Sequence, residues 1–353
     1  MDTFEAPTFC GKLRFAKKRS FEDGGAIWEA TTPWGAISLR SRDDASLQKY
    51  ASAYQFPCPS RKGEAASRET TCSECNSRYD YQVIPQFDSS TGRCWWTALV
   101  AALTYSVHLR RVFGGALEAV ASDAAIGAFR GLVSGVHERA AAQSELLRRY
   151  VYEKWGVGDA PWIAHEHEGG NARVEMLKLF AALSIPYATL YWKGDGFVLD
   201  PSYPASLGEA SPRVLVVSTS RKSDPWVPSA ELRVSRAPGA HPDPSGAWRL
   251  QAILVGNEDA GHQLSVSTCD GNVCEWMLAD SDAALLGITS TWLSCPREEG
   301  WVDMLAAQLP MLTRAPGRGA SFAPSNRSGD CTAFPETCVT PGMTNVDFLY
   351  TRL

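Results

Sequence analysis

The sequence predicts an α+β fold, with a helical lobe packed against an antiparallel β-sheet lobe. Three observations predict it. Apolar residues recur at helical spacing between Cys94 and Leu183. Strand-like segments dominate from Pro186 onward, and Cys269-Asp270-Gly271-Asn272 reads as a hairpin turn between two of them. Helices first and strands second is the order of an α+β chain.

The elements follow in order. Trp28 to Leu39 reads as two short strands around a Pro/Gly turn, and residues 56–78 as a polar, cysteine-bearing loop. A helix begins near Cys94, where Trp95, Leu99, Ala102 and Leu103 share a face. Residues 116–155, rich in Ala, Leu, Glu and Arg, hold two helices. Gly169-Gly170-Asn171 breaks the chain, and Asn171 is the candidate N-cap of a helix over 172–183. Strands are expected at 186–192, 196–199, 213–218, 248–255, 262–268 and 273–279, and a helix at 298–308. Residues 201–211 and 219–246 read as connections, and 315–343 as loosely ordered, because Pro, Ser and Gly crowd them. The organisation this implies is an N-terminal extension with a Cys-rich insert at 1–80, a main domain at 81–310 and a Pro/Gly/Ser-rich tail at 311–353.

Composition excludes several classes. At 353 residues with 44% hydrophobic content, the chain can build a sizeable core and is not a disordered polymer. Its 34 basic residues against 39 acidic ones leave a net charge of -5, which argues against a nucleic-acid binder. No apolar run reaches the roughly 18 residues of a membrane helix. Met1-Asp2-Thr3-Phe4-Glu5-Ala6 lacks the basic-then-apolar order of a signal peptide, so the expectation is an intracellular protein, in cytoplasm or a virion, and not a secreted one.

Ten cysteines raise the question of disulfides, metal or catalysis. Nothing directs the chain to an oxidising compartment, so most read as thiols. Cys72-Ser73-Glu74-Cys75 with Cys58 upstream is a zinc half-site, and Cys10 is a weak fourth candidate. A structural zinc is the one cofactor this admits, and no cofactor is expected for chemistry. His165-Glu166-His167-Glu168 lacks the spacing that places two ligands on one helix face and reads as a solvated loop.

Cys94 is the candidate nucleophile. Gly92 permits a tight turn before it, and a helix N-terminus would favour a thiolate there and offer N–H groups to an oxyanion. Trp95 and Trp96 would wall the site. The plain alternative is a small buried core residue. His262 follows Gly261 at the mouth of an expected strand, where a base can meet such a thiol; the alternative is a surface histidine at a loop end. The hairpin then returns the chain to Asp280, which could orient the imidazole, with Asp282 in reserve, unless both acids belong to an exposed turn.

Thr91 to Leu103 resembles the nucleophile helix of papain-like cysteine proteases, nearest the deubiquitinating branches. Gly261-His262-Gln263-Leu264-Ser265-Val266, followed by Trp276 and Asp280, is similar to the His and Asp strands of ubiquitin-specific proteases. Gly169-Gly170 is similar to a substrate-groove element of viral papain-like enzymes. The resemblance covers roughly residues 80–285. It implies a papain-like fold, a Cys94–His262–Asp280 triad, and a thiol peptidase acting on a protein or peptide, with ubiquitin or a viral polypeptide as the candidate partners. It also implies an oxyanion residue shortly before the nucleophile, where Asp88 cannot donate and Gln86 and Ser89 are the candidates. The Asp-Gly-x-Cys pattern of ovarian-tumour deubiquitinases is a poorer match, since Leu264 stands where their third triad member falls. Two other readings share these residues: a transglutaminase-like or arylamine-acetylating acyltransferase, and a non-catalytic papain-like scaffold that binds a protein.

Overall fold

The computed structural model describes residues 2–8, 11–22, 25–32, 35–41, 94–133, 137–155, 172–193, 196–199, 211–220, 231–235, 243–257, 262–268, 275–279, 288–294 and 343–353. Among them the fold is mixed α+β, with five helices against a largely antiparallel sheet. The strands are β1 (Thr3–Thr8), β2 (Gly11–Ser20), β3 (Ala26–Thr32), β4 (Gly35–Ser41), β5 (Tyr187–Lys193), β6 (Gly196–Leu199) and β7 (Val214–Ser220). They continue with β8 (Glu231–Val234), β9 (Gly246–Asn257), β10 (His262–Thr268), β11 (Glu275–Ala279), β12 (Ile288–Ser294) and β13 (Met343–Arg352). The helices are α1 (Cys94–Tyr105), α2 (Val107–Val120), α3 (Asp123–Val133), α4 (His137–Trp155) and α5 (Ala172–Ala182).

The strand order is β1-β2-β3-β4-β12-β11-β10-β9-β13-β7-β5-β6, with β8 added alongside β9. All described pairings are antiparallel except β5 with β7. Two segments join this sheet from outside the stretch 81–310. β1 to β4, within the expected N-terminal extension, connect through β4 to β12. β13, within the expected tail, lies between β9 and β7. β3 and β4 match the two strands read around the Pro/Gly turn, and β10 spans 262–268 as expected. β8 lies inside a segment expected to be connection. The expected helix at 298–308 lies outside the described residues.

The helices cover one face of the sheet. Ala252 and Leu254 of β9, Val214 and Val216 of β7 and Leu349 of β13 join the helical core around Leu99, Leu103, Phe113, Leu147 and Phe180. Phe113 and Phe129 meet edge to face at 5.2 Å, fastening α2 to α3. The opposite face is also dry at the centre, where Ile253, Val266 and Phe348 are each at most 1% exposed. Two buried phenols follow: burial raises the pKa of Tyr187 above its ordinary 10.0 and that of Tyr350 well above it.

Helix termini are tied to the sheet by side chains. The Ser106 hydroxyl accepts the Leu109 N–H at 3.3 Å as N-cap of α2 and donates to Gln251 Oε1 of β9 at 2.8 Å. α5 ends in a Schellman turn: Ile185 N–H reaches Phe180 O at 2.8 Å and Ser184 N–H reaches Ala181 O at 3.1 Å. Ser184 takes φ 53°, the left-handed conformation this turn requires. Near the other end of α5, Arg173 Nε approaches Asp347 Oδ1 of β13 at 3.5 Å, and the Ser218 hydroxyl of β7 donates to the same oxygen.

Candidate active site

The site begins with a helix that has no wet face. Every residue of α1 from Cys94 to Tyr105 is buried. Its Ala and Leu content favours helix, and an apolar surface all round requires burial on every side. α1 packs on β10 above all, then on β9 and β11, and on α2 to α5 along its other sides. Cys94 is its first residue and is 3% exposed. No acidic residue stands in its first turn to oppose an anion there.

The register of β10 explains how the helix comes close. Met277 and Ala279 of β11 pack against Ala101 and Tyr105 of α1. Ser267 and Ser265 pair with them in register, and pair on the other side with Ala252 and Leu254, which also face the helices. Small side chains therefore line the strip beneath α1. The hydroxyls of Ser265 and Ser267 are buried and meet no hydrogen-bond partner among the described residues. Small volume, rather than polarity, is what these two positions supply.

His262 is the first residue of β10, with its backbone opposite Asn257 of β9. β10 and β11 are antiparallel neighbours as the hairpin predicts, and the pair Ser265–Ala279 ends β11 one residue before Asp280. The fold thus brings the helix that Cys94 opens onto the strand that His262 opens, beside the strand that leads to Asp280. The side chain of His262 and the whole of Asp280 lie outside the described residues, as do Asp282, Gln86, Ser89, Gly169, Gly170, Asn171 and the zinc candidates Cys10, Cys58, Cys72 and Cys75.

Trp95, expected to wall a groove, is 2% exposed and sits in the core, edge to face with Trp96 at 5.8 Å. Helical geometry turns it inward, because α1 is surrounded by packed elements. Trp96 donates its indole N–H to the hydroxyl and carbonyl of Ser144 at 3.0 and 3.2 Å, fixing α1 to α4.

One contact near the site carries no local sequence signal. Gln263, next to His262, accepts the Ala172 N–H at 2.7 Å through Oε1. That satisfies one of the orphan donors at the start of α5 and ties this helix to the strand of His262. Ninety-one positions separate the two residues, so no spacing or motif pairs them.

No protein-family model matches the chain, and no curated protein matches it.

Proposed function

We propose that the chain is a papain-like thiol hydrolase that cleaves a peptide or isopeptide bond. The observation that supports this reading is the placement of α1, opening at Cys94, on β10, opening at His262. In this reading His262 takes the proton of the Cys94 thiol, and Asp280 holds the imidazole in the useful tautomer. The thiolate adds to the substrate carbonyl while backbone N–H groups at the start of α1 receive the oxyanion. The C–N bond breaks, the departing amine takes the proton from His262, and a thioester remains on Cys94. Water, deprotonated by His262, then releases the acid and restores the thiol. The substrate is a protein or peptide, with ubiquitin conjugates the first candidate, and the setting is intracellular.

A ubiquitin carrying a C-terminal electrophile, used beside a thiol-reactive peptide probe, tests this. Covalent labelling that is abolished in Cys94→Ala and falls by roughly a hundredfold or more in His262→Ala is expected, since a paired base contributes that much. Labelling by the ubiquitin probe selects a deubiquitinase, and labelling by the peptide probe alone selects another peptidase.

The burial of Cys94 favours a second reading, a non-catalytic scaffold of the same fold, because a nucleophile must be reached. A folded chain that neither probe labels supports the scaffold and ends the hydrolase reading.

A further inference from the structure

α1 and β10 start at the same end of the sheet. Ser106, just past the end of α1, donates to Gln251 Oε1 at 2.8 Å. Gln251 precedes Ala252, the partner of Ser267 near the far end of β10. The 12 residues of α1 span about 18 Å, close to the roughly 20 Å of β10, so Cys94 comes down toward the His262 end. Cys94 also shares a helix face with Ala101 and Tyr105, which pack against β11.

At that end β10 is held from one side by its ladder. Its pairing with β11 starts at Ser265, so among the described residues His262 and Gln263 pair with β9 alone. The side chain of Gln263 ties this stretch to α5 as well, through the 2.7 Å bond from Ala172 N–H to Oε1. A backbone N–H can only donate, so the bond also fixes which way round the amide sits. α5 is a firm post for it. In the next residue, Arg173 Nε approaches Asp347 Oδ1 of β13 at 3.5 Å, and that oxygen accepts the Ser218 hydroxyl of β7.

We infer that the Gln263–Ala172 bond is a positioning contact for the Cys94 site. It sets the mouth of β10, and with it the backbone of His262, at a fixed height against the helical layer. The inference rests on reading Cys94 and His262 as nucleophile and base. A base must come within hydrogen-bond reach of the thiol, and a misplacement of about 1 Å can cost on the order of a hundredfold in rate. Gln263 acts through His262 and contacts no reacting atom.

The two ends of the bond can be cut separately. Gln263→Met keeps the length of the side chain and removes the acceptor. Ala172→Pro removes the donor at the first residue of α5, a position where helices accommodate proline. Gln263→Glu keeps an acceptor. The rate at which a thiol-reactive peptide labels Cys94, read by mass spectrometry, is compared at a temperature where circular dichroism shows every variant folded. Each of Gln263→Met and Ala172→Pro is expected to slow labelling about tenfold or more. The double variant should be no slower than the slower single one, because both remove the same bond. Gln263→Glu should stay within about twofold of the wild type, since a carboxylate accepts the same N–H. A merely structural role would lower the melting temperature and leave these rates alike. If wild-type Cys94 is labelled and both single variants react as fast, this inference falls and the hydrolase reading stands. Losses that add in the double variant, or a Gln263→Glu that fails to rescue, overturn it in the same way. A folded wild type that the probe does not label ends the hydrolase reading and this inference with it.

Discussion

Gly114 and Gly115 are neighbours in α2, yet they meet opposite surroundings. A Cβ on Gly114 would lie 2.7 Å from Cε1 of Phe129, a ring held in the core between α2 and α3. A Cβ on Gly115 would meet nothing within 4 Å. Gly114→Ala should therefore destabilise the protein by about 1–3 kcal/mol through over-packing. Gly115→Ala should stabilise it by about 0.5–1 kcal/mol by removing backbone entropy from the unfolded chain. Urea unfolding of the two variants checks both signs, and a common sign would refute the packing argument. The sequence shows two glycines in a helical run and nothing that tells them apart. What separates them is a phenylalanine in another helix. Gln263 teaches the same lesson at the candidate site: its neighbour His262 is legible from a local motif, but its bond to Ala172 depends on the fold.

At the scale of elements, the contact of α1 with β10 organises the candidate site, and its tolerance is set by Ser265 and Ser267. Ser265→Ala should be neutral or slightly stabilising, because it removes a buried hydroxyl with no partner among the described residues. Ser265→Leu should cost about 1–3 kcal/mol, because it forces bulk between helix and strand. Chemical denaturation measures both, and equal stabilities would show that α1 does not press on this position. α1 and β10 were legible because each carries its own signal, a helix-forming apolar run and a β-rich segment after a glycine. β13 was not. Phe348, Leu349 and Tyr350 are consecutive and all buried, so the alternation that marks a half-exposed strand is missing in a strand covered on both faces. β8 is short, half of it is charged (Glu231 and Arg233), and it lies in a stretch crowded with Pro, Ser and Gly, which masked it.

At the scale of the whole molecule, β1 to β13 form one sheet, so stability should respond to groups at its centre. Tyr350 is fully buried in β13, and burial raises its pKa well above 10.0. In the unfolded chain a phenol loses its proton near its ordinary value, whereas the folded chain keeps Tyr350 neutral. The stability is thus complete below about pH 10 and falls as pH rises from there toward the raised folded value. Tyr350→Phe should lessen the slope of stability against pH in that alkaline window, as guanidinium unfolding at a series of pH values would show. An unchanged slope would mean that Tyr350 ionises as freely folded as unfolded. The position of β13 between β9 and β7 has a kinetic consequence as well. The strand on each side precedes it by a long stretch of chain, so their sheets cannot join until a distant segment arrives and closes a large loop. Before that moment β7 and β9 each present an unpaired edge, and an intermediate lacking β13 would be prone to pairing with other chains.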